Sequence, residues 1–177
     1  MIVLFLYLWI TLAIAQSSQI CVRDDAYRLS CLVKSTKRIV SLAPHATEVL
    51  FAIGAGEKIV GAVNYSDYPP AAKAIPRVGG YNNIDVERIV ALRPDLVVAW
   101  SSGNNPAQVE ALERLGIPVF RNEPRRVLDV AATARRLGRL AGTVAQAQRF
   151  ARAFEARYRR LQETYAGRRP VRLFYEI

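Results

Sequence analysis

Along this chain the spacing of apolar residues switches repeatedly between strand-like runs and a helical three-and-four step. Arg38-Ile39-Val40-Ser41-Leu42 reads as a strand, and Thr47 to Ile53 as a short helix closed by Gly54 and Gly56. Ile59 to Val63 is a second strand. A long loop follows through Gly80 and Asn83, rich in Pro, Gly, Asn and Tyr. Asp85 is placed to cap a helix through Ala91, and Pro94 ends that unit. Leu96-Val97-Val98-Ala99-Trp100 is an apolar third strand. Asn105 caps and Pro106 opens the next helix, which stops at Gly116, and Ile117 to Phe120 is a fourth strand.

From Val127 the pattern is helical. One helix runs to about Ala141 and breaks at Gly142, and Thr143 is placed to cap a second that reaches Tyr165. Its apolar residues, Val144, Ala147, Ala151, Phe154, Tyr158, Leu161 and Tyr165, form a sustained one-sided stripe. At ~1.5 Å per residue this helix is roughly 34 Å long, enough to cross from one lobe to another. After Arg168, Arg169 and Pro170, the alternation from Val171 to Ile177 looks like a new strand. A strand that opens a unit with nothing after it marks the sequence as a fragment or a truncated gene product.

Strands alternating with helices imply an α/β fold: a three-layer, Rossmann-like, mostly parallel sheet covered on both faces. In such sheets ligands bind beyond the C-terminal ends of the strands. That places the functional surface at Ala43 to Ala46, Asn64 to Gly80 and Ser101 to Asn105.

The ends of the chain add a location. Met1 to Ala15 carries no charge, and Ala13-Ile14-Ala15 gives the small-x-small pattern of a signal peptidase site. The segment reads as a secretory signal cut after Ala15. An uncleaved N-terminal anchor is the rival, since the segment lacks Lys and Arg. Cys21 is not preceded by a lipobox-like segment. Cys21 and Cys31 flank a polar turn from Arg23 to Arg28, which reads as a β-hairpin. With the turn centred on Ala26 the two cysteines face each other, close enough for a disulfide in an exported protein. The alternative is two buried thiols. Two thiols with no nearby His make a poor metal-ligand set.

The net charge of +10 suggests an acidic partner, but its distribution weakens that idea. Much of it is Arg in the helical C-terminal third, from Arg135 to Arg160, interleaved with Ala, Leu and Gln. A solvated helix face accounts for this, and no aromatic-basic motif points to nucleic acid. Enzyme signatures are missing too. Ser41-Leu42-Ala43-Pro44-His45 is not the glycine-rich turn of a dinucleotide fold, and no Gly-x-Ser-x-Gly is present. With one His and two distant Cys, no nucleophile-base pair is evident.

Three segments carry a resemblance. Asn64-Tyr65-Ser66-Asp67-Tyr68-Pro69-Pro70 resembles the Tyr-Ser-Asp-Tyr-Pro-Pro segment of periplasmic cobalamin-binding proteins. Val86 to Trp100, with Glu-Arg-Ile-Val-Ala-Leu-Arg-Pro-Asp-Leu-Val, looks like the same family's next helix and strand. Ser41-Leu42-Ala43-Pro44-His45-Ala46-Thr47-Glu48 resembles its first strand-loop-helix. The helix-strand motif occurs across the wider group that also binds haem and iron-siderophores, whereas the Tyr-Ser-Asp-Tyr-Pro-Pro run favours corrinoids. The resemblance covers Arg38 to the chain end.

It implies a periplasmic, monomeric solute-binding protein of an ABC importer, with no catalytic cofactor and no nucleic-acid partner. Cobalamin or a related corrinoid is its cargo, held between two lobes and delivered to an inner-membrane permease. Haem or iron-siderophore binding is the alternative within the family, and a scaffold that binds nothing, or a Rossmann-like enzyme, the alternative outside it. The implied organisation is a signal peptide (1–15), an N-terminal hairpin (16–37), an α/β ligand-binding lobe (38–125), a helical linker with the long interlobe helix (126–166), and the first strand of a truncated second lobe (167–177).

The resemblance also assigns roles. Tyr65 matches a ligand-contacting Tyr, and an amphipathic ring suits a corrin that is partly apolar and rimmed with amides. Tyr81 stands where the family often has a Trp lining the cleft. Ser101 and Asn104 are candidates for polar ligand contacts, although the family's equivalent loop is Gly-rich with a basic residue where Ser101 stands. Glu87 matches a surface Glu that pairs with permease Arg residues. Asp67 and Tyr68 are expected to fix their loop, and Trp100 to pack in the core or loop. His45 could ligate haem iron or corrin cobalt. Family corrinoid sites usually need no such ligand, so loop hydrogen bonding is its expected role.

Overall fold

A computed structural model describes residues 19–175. The signal-peptide and anchor readings fall on residues outside that range. β1 (Ile20–Arg23) and β2 (Leu29–Leu32) form the expected antiparallel hairpin, with Cys21 directly opposite Cys31. The two cysteines are joined as a disulfide. Alternation then does the docking: Val22 and Leu32 turn inward and are buried in the main core.

The lobe follows as β3 (Ile39–Ser41), α1 (Pro44–Ala52), β4 (Ile59–Ala62), a small hairpin of β5 (Gly79–Gly80) and β6 (Asn83–Ile84), α2 (Val86–Ala91), β7 (Leu96–Trp100), α3 (Pro106–Arg114) and β8 (Val119–Asn122). α4 (Asp129–Ala141) and α5 (Val144–Tyr165) complete it. The four longer strands of the lobe form one parallel sheet in the order β4-β3-β7-β8. One face packs on α1, α4 and the hairpin through Ile39, Leu50, Val98, Phe120 and Leu137. The other packs on α2 and α3 through Val40, Val63, Ile89, Val97 and Leu112. Continuous apolar strands are what a sheet covered on both faces requires.

Capping fits at two of three helices. Asp85 accepts from the Arg88 amide, and Asn105 from the Ala107 amide. Thr143 does not cap α5. Its backbone is not extended, and its hydroxyl is buried without a partner among the described residues. The α4–α5 turn is closed instead by Gly142 in the left-handed conformation, at φ 71°. A side chain at Gly138 would collide with Ala147, so the two helices approach closely there.

Other boundaries move. α1 begins at Pro44, since proline at the first helical position fits without a free amide. β8 starts at Val119, after Gly116 at φ 78° and Pro118, which has no amide to donate to the ladder. α4 starts at Asp129, whose carboxylate takes the Arg125 and Arg126 amides. The alternating segment from Val171 to Tyr175 is not a strand: it is exposed and has no neighbour to pair with among the described residues. The α5 stripe is buried at Ala147 and Ala151 but emerges by Leu161 and Tyr165.

Candidate functional site

All four strands of the main sheet run the same way, so their C-terminal ends share one edge. Strand order then sets the order of the loops along it: Tyr65 after β4, His45 after β3, Trp100 and Ser101 at the end of β7, and Glu123 after β8. At ~4.8 Å between strands, this row spans about 14 Å.

Tyr65 stands at one end, 77% exposed, with its backbone in the left-handed region at φ 64°. Its neighbours are tied down. Asn64 N donates to the Gly79 carbonyl at 2.9 Å, and buried Ser66 meets the Thr47 hydroxyl at 3.2 Å. Arg77 staples the loop, donating to the carbonyls of Ser66 at 3.0 Å and Ala72 at 3.1 Å and to Asp67 Oδ1 at 3.0 Å. Asp67 therefore fixes its loop through a guanidinium and not through backbone amides. Tyr68 projects into solvent.

The centre of the row is an aromatic cluster. Tyr81, 39% exposed, lies 5.7 Å from Trp100, and His45 meets Trp100 edge-on at 5.4 Å. Trp100 lies directly over Gly103, where any Cβ would strike the indole, so that glycine is required by close approach. Asn104 sits beneath, almost wholly buried. Its amide donates to the carbonyls of Leu42 (2.8 Å) and Tyr81 (2.6 Å), and its oxygen accepts from Trp100 N (2.6 Å). One side chain thus holds together the turns after β3, β5 and β7. The geometry gives Asn104 an internal role in place of the expected ligand contact.

His45 is also engaged. The Thr133 hydroxyl is 3.2 Å from Asn122 Oδ1, which turns the Asn122 amide NH toward His45 Nε2 at 3.0 Å. Facing a donor, Nε2 is the acceptor, and the ring proton falls on Nδ1. Burial lowers the imidazole pKa below its ordinary value, and the nearby Glu123 carboxylate offsets part of that shift. The ring is therefore neutral at pH 7, with its Nε2 lone pair already occupied.

Ser101 carries a different signal. Its hydroxyl is buried and has no hydrogen-bond partner among the described residues. The residue lines a cleft of about 1030 Å³ bounded by the Arg23–Tyr27 turn, Glu123 and the start of α4. Glu87 is exposed on the first turn of α2. The sequence reading missed Arg77, Asn122 and Thr133. Each makes at least one contact across ten or more positions, which no local pattern displays. The paired Asp24 and Asp25 were visible in the hairpin turn but were read only as polar.

A family model described as "Periplasmic binding protein" matches residues 39–176. A relative from Vibrio cholerae named vitamin B12-binding protein is 37% identical over 141 residues, 80% of this chain and 51% of its own length. One of the same name from Yersinia pestis is 36% identical over 149 residues, covering 84% and 53%. The chain spans about half the length of these curated relatives. Among solved structures, the periplasmic vitamin B12 binding protein of Vibrio cholerae superposes with a TM-score of 0.74 at 36% identity, covering 77% of this chain and 53% of that one. A periplasmic haem-binding protein from Pseudomonas aeruginosa gives 0.68 at 27%, covering 74% and 47%. A four-stranded parallel sheet covered by helices on both faces and a family model matched over residues 39–176 lead to one assignment: this chain belongs to the periplasmic binding protein family.

Proposed function

We propose that this chain supplies one wall of a binding site for cobalamin or a related corrinoid, in a periplasmic protein that hands its cargo to an ABC-type permease and performs no covalent chemistry. The observation that carries the reading is the row of side chains along the sheet edge. Tyr65 and Tyr81 offer exposed amphipathic rings, suited to a large, partly apolar ligand with polar rims. Asn104 and Arg77 preorganise the loops that present them. The relatives named vitamin B12-binding proteins support the same ligand. Ser101 extends the row with a buried hydroxyl that no group among the described residues satisfies.

Haem is the second reading, favoured by the likeness to the Pseudomonas aeruginosa protein. The occupied Nε2 of His45 counts against an iron ligand there. Titrating the chain with cyanocobalamin and with haemin separates the readings. Saturable binding of cyanocobalamin alone supports the corrinoid. Haemin binding with an absorbance shift abolished in His45→Ala would replace it, and binding of neither would leave a scaffold. Glu87 is proposed to pair with permease arginines, where a rim charge steers encounter more than it adds affinity. Glu87→Ala should impair transport and leave ligand affinity intact, and equal loss of both would sink that role.

A further inference from the structure

The aromatic row ends at β7, and beside its last strand ends, a cleft bounded by Ser101 and Glu123 reaches the N-terminal hairpin. Tyr27, at the tip of that hairpin, has φ 61°, a conformation that glycine adopts freely and an aromatic residue adopts at a cost. No packing offsets the strain, because Tyr27 is 80% exposed. The turn that imposes it is rigid. Asp24 Oδ1 accepts from the Ala26 and Arg28 amides at 3.0 and 2.8 Å. Asp25 N donates to the Arg121 carbonyl at 2.9 Å, and Asp25 Oδ2 accepts from Glu123 N at 2.7 Å. The hairpin is thus bolted to the cleft end of β8 with its aromatic tip on the rim. Across the cavity lies Ser101, whose buried hydroxyl has no partner among the described residues.

The charges around this cavity cancel. Four arginines and four carboxylates line it. Arg136 is paired with Asp25 at 2.7 Å and Arg126 with Asp129 at 2.9 Å. A lining neutralised in this way has little to offer an anionic group, but it does offer hydrogen bonds and an aromatic surface.

We propose that the hairpin turn is an additional wall of the ligand site, where Tyr27 and the Ser101 hydroxyl take an uncharged, amide-bearing appendage of the cargo. This rests on the corrinoid reading and deepens it: the sheet edge receives the ring and the hairpin reads its periphery. It also accounts for an aromatic residue at a position whose backbone favours glycine.

Cyanocobalamin binding to wild type, Tyr27→Gly and Ser101→Ala, measured by calorimetry beside thermal melts, tests it. Tyr27→Gly relieves the backbone and Ser101→Ala removes an unpaired buried hydroxyl, so both should melt at or above the wild-type temperature. Both should nevertheless bind more weakly, Tyr27→Gly by about fivefold, as for a lost aromatic contact. The Tyr27→Gly ratio should be the same at low and high salt, because a neutral contact is not screened. Unchanged affinity in both variants, with wild type binding, overturns this inference and leaves the corrinoid reading standing. A ratio that collapses in salt overturns the uncharged assignment. Failure of wild type to bind cyanocobalamin overturns both.

Discussion

Consider Asn104→Ala. The side chain is nearly inaccessible and satisfies three backbone groups at once: the carbonyls of Leu42 and Tyr81 and the amide of Trp100. Truncation leaves all three unpaired. A buried polar group deprived of its partner costs about 1–3 kcal/mol. Leu42 is fully buried, whereas the sites at Tyr81 and Trp100 are partly open to water. The sum should therefore be about 3 kcal/mol. With a urea m-value of about 2 kcal/mol per molar, the unfolding midpoint should drop by about 1.5 M. Asn104→Asp separates hydrogen bonding from packing. It keeps the shape and still accepts from Trp100 N, but it loses both donors and sets a carboxylate against two carbonyls. It should be at least as damaging as alanine. Cyanocobalamin affinity should fall in both variants, because Tyr81 loses its backbone tether. A loss of stability below about 1 kcal/mol for Asn104→Asp would refute the view that this amide holds the three turns by its hydrogen bonds.

Three further outcomes follow from the same geometry. Tyr65→Ala should leave stability within about 0.5 kcal/mol of wild type, as for an exposed side chain, while weakening cyanocobalamin binding; normal affinity would remove Tyr65 from the site. His45 has a depressed folded pKa, so only the unfolded imidazole takes up a proton as pH falls below about 6.5. Stability should then decline with falling pH until the folded ring protonates, and urea midpoints across this range should show the slope vanish in His45→Gln. Reducing the Cys21–Cys31 bond opens a short loop of separation 10, whose closure entropy corresponds to about 2.5 kcal/mol. Melts with and without reductant read that loss, and no change would show that the hairpin is held by its Asp24 and Asp25 contacts alone.

Much of the fold was legible because its determinants are local. β7 is a continuous apolar run, Asp85 and Asn105 cap the helices they precede, and the cysteines fall opposite each other once the turn is centred on Ala26. What escaped was non-local. Asn104 looked like a loop polar residue, and only the approach of β3 and the β5–β6 turn shows that it points inward. The hydrogen bond from Asn122 to His45 spans 77 positions. Thr143 had the right residue type for a cap but the wrong backbone angles, and Val171 to Tyr175 had the right alternation but no partner strand among the described residues. Periodicity reports which faces are apolar; it does not report what meets them.

The strand order has a kinetic consequence. β3 is the earliest strand of the main sheet in the chain and lies inside it, between β4 and β7. As the polypeptide emerges N-terminus first, one side of β3 stays open until residues near 100 have emerged. The β1–β2 hairpin needs no such wait, since its cysteines are only 10 positions apart and local hairpins close in about 1–10 μs. The emerging chain thus carries a finished, oxidisable clip ahead of an unfinished sheet. The clip supplies Val22 and Leu32 to the core, so the first piece to fold is an apolar cover waiting for the sheet that it will seal.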